Sequence, residues 1–219
     1  MPTVANRDVG LRFLHALAIA AVVLGLSSLA PSAAAAEPLC FDFSRPVEAP
    51  LVPLPPTSSL EDLAASGSKR DGVVWGQVRG RVARPLARVM RLLQDYRRWR
   101  DERVDELVID RRPADPHLAR FRVQSTVRPF PFVTVEWVDE WVFSLLDGTP
   151  SAPRAVLVSH QKVEGTAHID RHCGSLVLRE VDGSTTEVLQ YDEARITGRS
   201  AKDQVDGMSA LLAFLRHAR

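Results

Sequence analysis

The order of periodic segments between Gly72 and Arg219 constrains this chain more than any single residue does. Val73 to Val82 (VVWGQVRGRV) alternates as a strand does, and Gly76 and Gly80 mark a bulge or a close neighbour. Pro85 then takes a first-turn helix position, and Leu86, Val89, Met90, Leu93 and Tyr96 repeat with helical spacing. The stretches 104–110, 118–127, 133–145, 155–163, 167–181 and 185–196 all read as strands. Turn residues separate them: Pro113 to Pro116, Pro129 to Pro131, Asp147-Gly148, Glu164-Gly165 and Asp182-Gly183. Connections this short imply an antiparallel meander, about seven strands with the first one counted. Ser200 and Asp203 form a capping box for a final helix, whose stripe of Val205, Met208, Leu211, Leu212 and Leu215 must bury against the sheet. The expected class is α+β: an antiparallel sheet wrapped around a long C-terminal helix, with short helices after the first strand. Such a sheet encloses a cavity rather than displaying a catalytic loop.

The region ahead of this domain divides in two. Residues 1–36 read as a signal peptide, with Arg7 and Arg12 before the apolar run Ala16 to Leu26 and small residues at Ala33 to Ala36. That run is short of the about 20 residues a membrane span needs, although an uncleaved anchor is the alternative. Residues 37–71 form a proline-rich segment, extended around Pro46, Pro50, Pro53, Pro55 and Pro56. Within it a short helix is expected after Ser59, over Leu60 to Ala65, and then a polar loop from Gly67 to Gly72. An exported chain, periplasmic or secreted, permits a disulfide between Cys40 and Cys173, which would pin the leading segment to the sheet. Two unpaired thiols, with Cys173 simply buried, are the alternative. The leader carries Arg7, Arg12 and Asp8, so the rest of the chain is formally neutral and has no global field to draw nucleic acid.

Few residues point to chemistry. Alternation sets Val133, Val135, Trp137, Trp141 and Phe143 on one strand face and Glu136 and Glu140 on the other, toward solvent. Arg120, Arg122 and Gln124 form a polar face opposite Phe121 and Val123. Trp137 and Trp141 share a side and either line a pocket or pack as core against Val205, Met208 and Leu212. His168, Asp170 and His172 point the same way on a strand and have metal-ligand chemistry, but Arg171 crowds them and no metal-spacing motif is present, so no metal is expected. There is no G-x-S-x-G elbow, dinucleotide fingerprint or P-loop, and no cofactor is expected. No titratable residue stands clearly on the apolar face of a central strand.

This order of elements resembles the START-like, or Bet v 1-like, superfamily with its helix-grip fold. The resemblance rests on Val82-Ala83-Arg84-Pro85-Leu86 through Val89 to Leu93-Gln94-Asp95-Tyr96 and Trp99, and on Pro129-Phe130-Pro131-Phe132. It rests also on Gly174-Ser175-Leu176, on Asp182-Gly183-Ser184-Thr185-Thr186-Glu187-Val188, and on Gly198-Arg199-Ser200-Ala201. It covers Gly72 to Arg219, although Val135-Glu136 stands where START domains often carry an arginine–aspartate pair. The resemblance implies a non-enzymatic binding or transfer protein, a monomer with transient membrane contact, holding a lipid or other hydrophobic molecule between sheet and C-terminal helix. Ligand contacts are expected from Trp137, Trp141, Met208 and Leu212, with Arg122, His160 and Tyr191 as polar groups. The alternatives are an enzyme of the polyketide cyclase or dehydratase type and a cavity-less interaction module.

Overall fold

The computed structural model describes residues 39–52, 64–99 and 104–218. The expected leader and its cleavage site, the prolines beyond residue 52 and most of the helix expected after Ser59 lie outside them. Among the described residues eight strands form one sheet: β1 Ala64–Arg70, β2 Val73–Val82, β3 Glu106–Arg111, β4 Ala119–Phe130, β5 Val133–Thr149, β6 Ala152–Gly165, β7 Ile169–Asp182 and β8 Thr185–Ile196. Between β2 and β3 come helix α1, Leu86–Gln94, and a 3-10 turn, Tyr96–Arg98; helix α2, Ala201–His217, ends the chain. The strand order is β1-β2-β8-β7-β6-β5-β4-β3, and every pairing is antiparallel. The meander from β3 to β8 thus returns to lie beside β2, as a helix-grip arrangement requires.

One strand and two turns differ from the sequence expectation. Ala64 to Arg70 is a strand rather than helix end and loop, and it pairs with β2 from Ala64↔Arg79 to Arg70↔Val73. The short helices consequently follow the second strand, and the sheet has eight strands instead of seven. Asp71-Gly72 closes this hairpin with both residues left-handed, at φ 51° and 81°, the geometry that an Asp-Gly pair supplies in a two-residue turn. Similarly, β5 runs through Asp147-Gly148 to Thr149, and β6 through Glu164-Gly165. Gly148, at φ 94°, sits at a register shift in the ladder, and Gly165, at φ 124°, is the last residue of β6, so neither dipeptide is the turn itself.

The sheet has two covered faces. On the inner face, α1 and α2 bury Val89, Leu93, Met208, Leu212 and Leu215 against Val78, Val82, Phe121, Phe143, Val158 and Leu176. Gly76 and Gly80 let α2 come close. A Cβ on Gly76 would lie 3.0 Å from the Met208 sulfur, and one on Gly80 would lie 2.5 Å from Leu212 Cδ2. Ser200 and Asp203 make the capping box at the start of α2. Its far end is held by Arg84, whose guanidinium donates to the carbonyls of Leu215 (2.9 Å), Arg216 (3.2 Å) and Ala218. A cation at a helix C-terminus satisfies the last carbonyls and complements the dipole. Pro85 precedes α1 as its N-cap, one position earlier than expected.

On the outer face, residues 39–52 form a strap. Phe41, Phe43, Val47 and Leu51 cover Val142, Leu157, Val177 and Leu189. With no strand of its own to satisfy its backbone, the strap uses side chains of the sheet. The Phe41 N–H donates to Gln161 Oε1 (2.8 Å) and the Gln161 amide donates back to the Phe41 carbonyl (2.9 Å). The N–H groups of Val47 and Leu51 donate to the hydroxyls of Ser144 (3.1 Å) and Ser175 (2.9 Å). A disulfide between Cys40 and Cys173, with a Cα–Cα distance of 6.5 Å, fixes the start of the strap to β7. Among the described residues no helix is long and apolar enough to cross a membrane.

Candidate functional site

Register aligns one row of residues across the inner face. Phe121 pairs with Trp141, Trp141 with His160, His160 with Gly174, Gly174 with Asp192, and Asp192 with Gly76. From one side the row reads aromatic, aromatic, imidazole, gap, carboxylate, gap. Trp141 stacks on the His160 ring at 4.3 Å between centroids, and Phe121, Tyr96 and Trp99 surround the indole at 5.4 to 6.3 Å. Tyr96 and Trp99 arrive from the 3-10 turn after α1, which explains how that turn reaches the sheet. Asp139 and His172 stand beside this row on the same face, two residues along β5 and β7 from Trp141 and Gly174.

These groups make a chain of contacts. Trp137 Nε1 donates to Asp139 Oδ2 (2.9 Å), and Asp139 Oδ1 lies 3.2 Å from His172 Nδ1. His172 Nε2 then lies 3.5 Å from Asp192 Oδ2, and Asp192 Oδ1 lies 3.9 Å from His160 Nε2. Burial pulls the His160 imidazole down to about 4, against the attraction of Asp192, so this ring is neutral at pH 7. Burial acts on His172 in the same sense, but the carboxylates of Asp139 and Asp192 outweigh it and lift this imidazole to about 10. Burial raises Asp192, yet the neighbouring His172 charge and hydrogen bond hold it below the ordinary carboxylate range. The cluster therefore sets one imidazolium, His172, beside one neutral imidazole, His160. Gly174 makes room for it: a Cβ there would lie 2.5 Å from His160 Nε2 and 2.9 Å from Asp192 Oδ1.

The inner face also carries buried polar atoms without hydrogen-bond partners. They are Ser125 Oγ, Trp141 Nε1, His160 Nδ1, Gln190 Oε1, Asp192 Oδ1 and both amide atoms of Gln204. All these residues are at most 7% exposed. Gln204 comes from α2, and its Cγ would lie 3.3 Å from a Cβ on Gly76, so it sits over the Asp192 end of the row. In a solid core each such atom costs about 1–3 kcal/mol.

A second concavity lies elsewhere. A groove of about 770 Å³ on the outer face, beside the strap, is lined by Phe41, Phe43, Arg120, Arg122, Glu140 and Glu164. It is open, and its charges face one another: Arg122 donates to Glu140 (3.2 Å) and to Glu164 (2.9 Å), and Arg120 donates to Glu140. Unpartnered groups inside a closed face indicate a site better than a large open groove whose charges are already paired.

The structure sorts the residues expected from sequence. Trp137, Trp141, His160, Met208 and Leu212 lie on the inner face, Trp141, His160, Met208 and Leu212 buried there. Arg122 and Tyr191 lie on the outer face, the latter stacked on Trp75 at 6.3 Å with its hydroxyl donating to Glu193 (3.0 Å), so neither shares a pocket with the tryptophans. Strand parity forces this, because Phe121 and Gln190 take the inward positions next to them. Glu140 does not face solvent; the strap and two arginines leave it 3% exposed. The grouping of His168, Asp170 and His172 does not form. A register irregularity between Ile169 and Arg171 leaves His168 and Asp170 exposed, and His172 turns to His160 and Asp192 instead. The expectation that no titratable residue stands on the apolar face is overturned by Asp139, His160, His172 and Asp192. Asp139 was legible as an inward position, since it keeps step with Trp137 and Trp141; the approach of three strands to one point was not.

No protein-family model matches the sequence, and no curated protein matches it. Similar solved structures include the lipid transfer and protein localization domain of human StarD13, 11% identical, covering 72% of this chain and 88% of that one at a TM-score of 0.49. A STAR-related lipid transfer protein of Xanthomonas axonopodis is 15% identical, with 70% and 96% covered and a TM-score of 0.48. The Zhui aromatase/cyclase of a Streptomyces species is 13% identical, with 65% and 86% covered and a TM-score of 0.41. These are what the chain is similar to, and at such values they bring no ligand, reaction or residue role to it.

Proposed function

We propose that the protein binds a small amphipathic molecule, with a largely hydrophobic body, on the inner face of the sheet over the row from Phe121 to Gly76. The observation that carries this reading is the band of unpartnered buried polar atoms crossing that face from Ser125 to Gln204. A ligand with an apolar body and one or two polar groups would replace those missing partners. Trp141, with Tyr96 and Trp99 around it, offers flat aromatic surface to the apolar part. Affinity would come from apolar burial, at roughly 25 cal/mol per Å² removed from water. Entry requires α2 or a neighbouring loop to shift. The Cys40–Cys173 bridge supports action in an oxidising compartment outside the cytoplasm.

Native mass spectrometry of the protein isolated from its host envelope tests the reading. A hydrophobe that co-purifies and is released intact supports binding or transfer. Repeated recovery of ligand-free protein contradicts it. The chain of Asp139, His172, Asp192 and His160 beside the same row favours a second reading, an enzyme of the polyketide cyclase or dehydratase type. Release of a chemically altered ligand would select that reading over simple transfer.

A further inference from the structure

We propose that His160, His172 and Asp192 form a binding site for one divalent transition-metal ion of the zinc class. Three adjacent strands, β6, β7 and β8, deliver these side chains to one point on the inner face, and one ligand atom from each lies within 4.8 Å of the others. Metal–nitrogen and metal–oxygen bonds of about 2.0–2.2 Å set tetrahedral ligand atoms about 3.4 Å apart. His172 Nε2 lies 3.5 Å from Asp192 Oδ2 and His160 Nε2 lies 3.9 Å from Asp192 Oδ1, so one carboxylate borders both imidazoles at close to that spacing.

Three geometric features fit an ion. Asp192 Oδ1 is buried, lacks a hydrogen-bond partner and lies on the side toward His160 Nε2. Asp139 lies 3.2 Å from His172 Nδ1 and is itself fixed by the Trp137 indole, so His172 presents Nε2 to the centre. A carboxylate behind a ligating histidine is the usual outer arrangement at such sites. Gly174 keeps the centre free, since any side chain would meet His160 Nε2 and Asp192 Oδ1.

Two imidazoles and one carboxylate suit zinc, iron, nickel or copper rather than magnesium or calcium. Three protein ligands leave a coordination position for water or for a polar group of a ligand. The other grouping of potential ligands among the described residues, Cys40, Cys173 and Glu193, is unsuitable because both sulfurs are in the disulfide. The metal site does not depend on the amphipathic ligand proposed above.

The test is titration of the oxidised, chelator-stripped protein with Co(II) and then Zn(II), without organic ligand. The expected result is one Co(II) per chain with visible ligand-field absorption, lost on addition of Zn(II). His160→Ala and Asp192→Asn should abolish that absorption, Asp139→Asn should weaken binding about 10- to 100-fold, and His168→Ala should leave it unchanged. Absence of stoichiometric uptake by the unaltered protein overturns the proposal whether or not the variants fold. So does equal uptake by folded His160→Ala. Either failure leaves the hydrophobic-ligand reading standing.

Discussion

Gly174 and His160 face each other across β6 and β7 so closely that a single added Cβ would sit 2.5 Å from the imidazole Nε2. The same Cβ would lie 2.7 Å from the Tyr191 carbonyl, which belongs to the backbone and cannot give way as a side chain can. Gly174→Ala should therefore destabilise the protein by about 1–3 kcal/mol, the usual cost of overpacking. Urea unfolding followed by tryptophan fluorescence measures it. An unchanged midpoint would show that the space beside His160 is not tight.

Arg84 closes the fold by tying the end of β2 to the last carbonyls of α2. Arg84→Ala removes a charged donor from three carbonyls, and hydrogen bonds to charged groups contribute about 1.5–3 kcal/mol. A loss of about 2 kcal/mol is expected, together with faster amide exchange in the last turn of α2. Exchange that stays as slow as in the unaltered protein would place the anchoring of that helix elsewhere.

The Cys40–Cys173 bridge closes a loop with a sequence separation of 133. Chain entropy alone gives such a closure about 4–5 kcal/mol. Reduction, or Cys173→Ala, should lower stability toward that extent and free residues 39–52 from the outer face. Hydrogen exchange at the Phe41, Val47 and Leu51 amides reads the second effect directly. Protection that survives reduction would mean that Gln161, Ser144 and Ser175 hold the strap unaided.

At the start of α2, the Ser200 hydroxyl and N–H hold the Asp203 carboxyl below its ordinary value, with help from Arg199. A depressed folded-state value means that the contribution is full above the unfolded value, near 3.9, and is lost as pH falls through the folded one. Ser200→Ala should cost about 1 kcal/mol at pH 7. The difference between the unaltered protein and Asp203→Asn should be constant from about pH 5 to 7 and shrink below about pH 4. Thermal melts over that range test both, and a difference that grows in acid would contradict the capping role.

Strand alternation, the turn dipeptides and the capping box of α2 were enough to read the meander and its closing helix. Strand β1 was not legible because Ala65-Ser66-Gly67-Ser68-Lys69-Arg70 is exposed at the sheet edge and carries no apolar alternation; only Asp71-Gly72 signals the hairpin. The site was half legible. Trp141 follows from its spacing with Trp137, whereas Asp192 and His172 depend on register between β7 and β8, which no local pattern records. Arg122 shares the outward parity of Arg120, which keeps it from the tryptophan face despite its polar chemistry. The strap hid the burial of Glu140, since nothing in the proline-rich composition of that segment says which face it crosses.

The central claim is that the inner face between Ser125 and Gln204 is a binding surface. A high-resolution crystal structure of the protein as isolated from its host tests it most directly. Density for a bound molecule is expected over the Trp141–His160–Gly174 row, with polar contacts to Gln190, Gln204 or Trp141 Nε1. An inner face packed solid, with each of those atoms paired to another protein group, would contradict it.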